Sequence, residues 1–123
     1  MSEGIRENKG KAPISLILSR ALLEVAKVSA FGAKKYEPHN YRKGMKWSFF
    51  VDSLGRHLIK RCVGQIYDID EDCTGCQEGN CTDHSGLLHT AHIAWNALAL
   101  LEFEVEGIGT DDLFPGYNVE KKE

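Results

Sequence analysis

His89, His92 and Asn96 stand three and four residues apart inside an otherwise apolar run from Leu87 to Leu101. At 3.6 residues per turn their side chains share one stripe of a helix whose other positions are almost all apolar. A buried imidazole or amide without a partner costs roughly 1 to 3 kcal/mol, so the stripe must meet polar groups across a core. Such a stripe serves a ligand or metal pocket; the plainer alternative is histidines that donate to a backbone carbonyl or cap a helix. Arg56 and His57 are a second candidate pair. They are adjacent and therefore about 100° apart on a helix, so at most one faces the stripe squarely.

The segment from Asp68 to His84 holds three of the four cysteines, at a C-x-x-C-x-x-x-x-C-x-x-H spacing. Thiolates two residues apart around a glycine-containing turn can bind one tetrahedral ion, and Cys73, Cys76, Cys81 and His84 together make a Cys₃His zinc set. Four ligands leave no open position, so such a zinc is structural. Reduced thiols and a disulfide are the competing readings, the second disfavoured by a reducing compartment. Cys62 lies in line with apolar residues and reads as core.

These groups need helices to place them. The spacing predicts a first helix near Leu16–Lys35, capped by Ser15, with Leu18, Leu22, Val25, Ala26 and Val28 on its apolar face; Gly32 is expected to end or kink it, and Pro38 closes the element. After the loop Glu37–Lys46, Ser48 is expected to cap a second helix running to about Val63, with Phe50, Leu54, Leu58 and Cys62 in line and Gly64 as terminator. A turn at Asp83–Gly86 precedes the third helix, which should stop at Gly107–Gly109. No strand-like alternation or repeat is present. The expected class is all-α: a small bundle of three main helices with a cysteine-rich loop between the second and third. Ile93–Leu101 is apolar all round, which calls for assembly as a dimer or higher oligomer with the third helix most buried.

A chain of 123 residues fits a single domain spanning 1–123, with an ordered core about 14–106 and the insertion at 68–84. Net charge is −3, which gives no electrostatic reason to bind nucleic acid or an anionic membrane. Met1–Lys11 is polar and no apolar run reaches the roughly 18 to 20 residues of a membrane span, so a cytoplasmic protein is expected. Toward the end, Phe114, Pro115 and Tyr117 read as docking residues and Glu120–Glu123 as a frayed terminus. Basic residues cluster around the Glu37–Lys46 loop, as Lys34, Lys35, Arg42, Lys43 and Lys46, and again at Arg56, Lys60 and Arg61, where a phosphate ester would find donors.

Five blocks, Leu23–Ala26, Phe31–Tyr36, Asn40–Gly44, Arg56–Leu58 and Ser85–His92, resemble the phage-encoded dATP/dGTP diphosphohydrolase N-terminal domain family, which is related to the MazG-like all-α nucleoside triphosphate pyrophosphohydrolases. The resemblance covers roughly residues 14 to 104. It implies a helical, usually oligomeric protein in the bacterial host cytoplasm that converts deoxypurine triphosphates to monophosphate and pyrophosphate with Mg²⁺ or Mn²⁺. On that footing Glu24 with Asp68 or Asp83 would hold the metal, and His57, His89 or His92 would act as base or support it. Lys34, Lys35 and Arg56 would neutralise the leaving pyrophosphate, and Tyr36, Asn40 and Asn96 would contact the nucleotide. MazG-like enzymes hold magnesium through paired carboxylates on facing helices. Here Lys27 follows Glu24 at the third position, and the third helix offers His89 and His92 instead. A second reading therefore stands beside the first: a phage protein that binds and sequesters a signalling nucleotide without turnover.

Overall fold

The computed structural model describes residues 3–114; Pro115, Tyr117 and Glu120–Glu123 lie outside the described residues. Among those described there are four α-helices and no strand, only the isolated bridges Lys46–Thr110 and Tyr67–Leu88. Helix α1 spans Ser19–Lys35, α2 Trp47–Cys62, α3 Thr74–Glu78 and α4 His89–Glu106. The fourth helix is the five-residue α3, inside the cysteine-rich segment. None of the helices is long and apolar enough to cross a membrane.

Helix boundaries follow local chemistry, with corrections at the starts of α1 and α2. Ser15 lies in a 3₁₀ turn at Ile14–Leu16, and α1 begins at Ser19 with no side-chain cap. Gly32 neither stops nor ends it, because Tyr36 closes the last turn by donating its N–H to the Gly32 carbonyl. Ser48 sits inside α2 and does not cap it. Its amide and hydroxyl both donate to Asp112, at 2.9 and 2.6 Å, so a carboxylate from beyond α4 satisfies the first turn of α2. At the other end Gly64, at φ +98°, turns the chain away from the helix axis. Gly107 ends α4 in the left-handed conformation, donating to the Phe103 carbonyl.

Helix α4 is central: it packs along α2 and, less extensively, along α1. Among the described residues, six of the ten that are buried belong to it, namely His89, Ala91, His92, Asn96, Ala99 and Phe103. Its C-terminal half meets an aromatic core in which Phe50 stands edge-on to the fully buried Phe103 at 4.8 Å, with Tyr41 and Trp95 around them. The two indoles find acceptors, Trp47 at the Ile108 carbonyl and Trp95 at Ser29 Oγ. Because α1 packs on α4, only Val25 and Val28 of its expected face are buried, while Leu18, Leu22 and Ala26 are exposed. Leu58 and Cys62 are exposed in the same way on α2. Cys62 is thus not a core residue.

The loop after α4 returns to the start of α2, with Trp47 donating to the Thr110 carbonyl and Thr110 to that of Met45. Gly109 makes this return possible. Its φ is +77°, and a Cβ there would run into the Met45 carbonyl and stand 3.0 Å from the Phe103 ring. Gly109→Ala is therefore expected to destabilise the fold by about 2 kcal/mol or more, combining a disfavoured dihedral with a clash against rigid backbone. Urea unfolding of the variant beside the parent would show this as a lower midpoint at unchanged slope.

Candidate functional site

The N-terminal half of α4 carries the polar stripe into the interior: His89, His92 and Asn96 are 1, 8 and 5% exposed. Asn96 donates to Ser53 Oγ on α2 and to the His92 carbonyl. His92 meets a strap, residues 85–88, that lies along residues 66–68. The strap is fixed by backbone bonds from Asp68 to Leu87, from Gly86 to Asp68 and from His89 to Ile66, each 2.8 to 2.9 Å. Gly86, at φ +72°, provides its turn.

Ser85 is the junction. Its amide and hydroxyl approach Asp68 Oδ2 at 2.9 and 3.1 Å, its Oγ lies 2.6 Å from His92 Nε2, and the Leu87 amide donates to the same oxygen at 3.1 Å. A serine hydroxyl has one proton and two lone pairs. Donating to Asp68, it accepts from Leu87 N–H and from a protonated His92 Nε2, which leaves His92 Nδ1 as an acceptor. Burial acts to raise Asp68, but the hydrogen bonds from Ser85 outweigh it and hold this carboxyl, 6% exposed, below the usual range.

His57 of α2 completes the cluster. Its ring stacks on His92 with centroids 4.3 Å apart, and its Nδ1 lies 2.8 Å from His89 Nδ1. Burial, reinforced by the His92 charge, pushes His57 down to about 4, and burial lowers His89 and His92 as well. The neutral form is thus favoured at all three imidazoles, beside a carboxyl whose ionised form is favoured. His89 Nε2 is buried without a hydrogen-bond partner. A cleft of about 470 Å³ opens beside the cluster, lined by Lys60, Asp68, Asp70, Glu71, Asp72 and His89 among others. Phe31 of α1 covers His92 edge-on at 6.4 Å.

The other sequence-selected residues stand apart from this cluster. Glu24 pairs with Lys27 at 2.9 Å, one turn along α1, while Val25 and Val28 take the core-facing positions. Asp83 is exposed, 3.9 Å from Lys35. Glu24, Asp68 and Asp83 do not form a close group of ligand atoms among the described residues. Arg56 is exposed because its neighbour His57 turns inward. Lys34 and Tyr36 are exposed, Lys35 lies over the Phe31 and Tyr36 rings, and Asn40 is half-buried in a 3₁₀ turn. Of the basic loop residues, Arg42 pairs with Glu106 and Lys43 with Glu37. Ser85 and Ser53 were not selected from sequence; the Ser85-Gly86 step was the available signal for the first.

The cysteine quartet does assemble. Cys73 Sγ lies 3.7 Å from Cys81 Sγ, which lies 3.3 Å from His84 Nδ1, and one ligand atom from each of the four residues falls within 4.8 Å of the others. The thiols are free. The His84 amide donates to Cys81 Sγ at 3.2 Å and lowers that thiol to about 6.

The depressed histidines give stability a definite acid limb. Below the ordinary value near 6.5 the unfolded chain takes up a proton at His57 that the folded chain refuses until about pH 4. The contribution of neutral His57 is therefore complete above about pH 6.5 and is lost as pH falls toward 4. The urea midpoint should drop between pH 7 and pH 5, and His57→Gln should flatten that slope. An unchanged slope in the variant would mean the imidazole is not held neutral by the fold.

Residues 1–113 match the family described as dATP/dGTP diphosphohydrolase, N-terminal. Among curated proteins, a dATP/dGTP diphosphohydrolase of Salmonella phage PMBT28 is 35% identical over 91 residues, covering 74% of this chain and 26% of that protein. The chain thus spans about a quarter of the length of that relative. No solved structure matches it. Since the match takes in all four helices and the strap, the chain belongs to the family of dATP/dGTP diphosphohydrolase N-terminal domains.

Proposed function

We propose that this chain hydrolyses deoxypurine nucleoside triphosphates, water attacking the α-phosphorus so that pyrophosphate leaves and the monophosphate remains. The observation that carries this reading is the imidazole cluster, backed by Asp68 through Ser85, of which His89 and Asp68 line an open cleft. A neutral imidazole accepts the proton of the attacking water. The adjoining carboxylate stabilises an imidazolium formed at His92, and the Ser85 contact fixes its tautomer. Lys60 supplies a positive charge at the cleft, whereas Asp70, Glu71 and Asp72 disfavour a bare polyphosphate. The substrate is accordingly the nucleotide with its Mg²⁺ or Mn²⁺ counterion. The reading is supported by the family, that of dATP/dGTP diphosphohydrolase N-terminal domains.

One observation favours a second reading, sequestration of a nucleotide without turnover: Glu24, the carboxylate on α1, is engaged by Lys27 and not by the cluster. Incubation with a deoxynucleotide panel and Mg²⁺ or Mn²⁺, followed by chromatography, separates the two. Monophosphate plus pyrophosphate supports hydrolysis; intact nucleotide co-eluting with protein supports sequestration. For hydrolysis, His92→Ala and His57→Gln are expected to lower kcat by about 100-fold or more, in the range of lost acid–base catalysis. Glu102→Gln, on the exposed side of α4, should leave it unchanged.

The same proposal includes assembly with further copies of the chain. Leu22 and Leu23 on α1, with Leu98, Leu101 and Val105 on α4, are 43 to 76% exposed, which favours apolar contact between copies. Light scattering after gel filtration is expected to give a multiple of 13.7 kDa, and a monomer at micromolar concentration would oppose it.

A further inference from the structure

We propose that Cys73, Cys76, Cys81 and His84 bind one Zn²⁺ as a closed structural site, and that this ion holds Ser85 in place between Asp68 and His92. The site is independent of whether the chain hydrolyses or sequesters nucleotide.

The separations of the donor atoms suit a tetrahedral ion. With Zn–S near 2.3 Å and Zn–N near 2.0 to 2.1 Å, tetrahedral ligands stand about 3.8 Å apart for two sulfurs and about 3.6 Å for sulfur and nitrogen. The Cys73–Cys81 and Cys81–His84 separations are 3.7 and 3.3 Å. It is the only group of three or more His, Cys, Asp or Glu side chains among the described residues that comes this close together.

The backbone is shaped to bring the donors there. Cys73 stands at the start of α3 and Cys76 one turn along it, and Gly79, at φ +77°, reverses the chain so that Asn80 donates back to the Gly75 carbonyl. Cys81 then passes against Gly75. A Cβ on Gly75 would lie 3.0 Å from Cys81 Cα and 3.2 Å from its Cβ, so a larger residue there would push the Cys81 backbone away by a few tenths of an ångström. No residue from 69 to 84 is buried, and apolar packing therefore cannot hold the knuckle in shape. A bound ion supplies the missing cross-link. It also offsets three thiolates set among Asp70, Glu71, Asp72, Glu78 and Asp83.

The link to the polar cluster is covalent and short. His84, the last ligand, directly precedes Ser85, whose amide and hydroxyl reach Asp68 and whose Oγ reaches His92. Fixing His84 to the ion fixes the start of the strap. Losing the ion frees it, and His92 Nε2 loses its acceptor.

The test uses the full chain purified under reducing conditions without chelator. Elemental analysis should give about one zinc per chain, and Co²⁺ replacing it should show the visible bands of a tetrahedral thiolate site. Cys81→Ser should retain less than about a tenth of an ion after chelator competition. Gly75→Ala keeps all four donors and should still lose zinc faster than the parent, which guards against a Cys81→Ser chain that fails to fold. Ring-nitrogen NMR of His92 should change when chelator strips the parent chain. Absence of zinc together with no Co²⁺ bands overturns the site. Full zinc with an unchanged His92 signal on stripping overturns the coupling to the strap.

Discussion

The placement of one carboxylate governs the rest of this structure. Asp68 sits 6% exposed, where an ionised group survives only if its oxygens are engaged. Ser85 engages it twice, and the strap that carries Ser85 is stitched to the Asp68 backbone on both sides. The same hydroxyl then has one remaining acceptor position, which His92 takes, and His92 in turn stacks on His57. Each step narrows the next, so a loop residue determines the tautomer of a helix residue and the orientation of a ring on another helix.

Helix α4 is accordingly two half-helices in energetic terms. Its first turns are held by hydrogen bonds among imidazoles, amides and hydroxyls; its later turns are held by the Phe50, Trp95 and Phe103 rings. Directional bonds suit the end that has to present groups in fixed geometry. Non-directional packing suits the end that only has to stay joined to α2. The cleft opens at the directional end.

The sequence carried the periodic features well. The three long helices, the burial of the α4 stripe and the gathering of the cysteine quartet all follow from spacing, because helical period and turn length act locally. What spacing could not carry was pairing between distant segments. Asp68 and Ser85 are 17 residues apart across an insertion, and no local rule says that a serine after a cysteine knuckle will meet a buried aspartate. Glu24 is a different case: it shares a helix with Val25 and Val28, and Lys27 on the same surface pairs with it. Arg56 and His57 show the intermediate case, since the period says that one must turn out without saying which. Apolar faces were overread for a related reason. Leu18, Leu22 and Leu58 have the right spacing, but among the described residues α1 and α2 each pack chiefly against α4 and leave these side chains exposed.

Asp112 sets a lower limit on what counts as the folding unit. It lies beyond the last helix, yet it satisfies the first turn of α2 through two bonds to Ser48, while Thr110 accepts from Trp47 a few residues earlier. Burial is small here, so the carboxylate acts by complementing exposed amides at a helix start and not by filling space. A fragment cut at the end of α4 would retain every described helix and still leave the α2 entrance open, with Gly109 no longer packed between Met45 and the Phe103 ring. Secondary structure alone is thus a poor guide to where this unit can be divided. When it is joined to other polypeptide, the joint belongs after residue 112, in agreement with the family match that runs to residue 113.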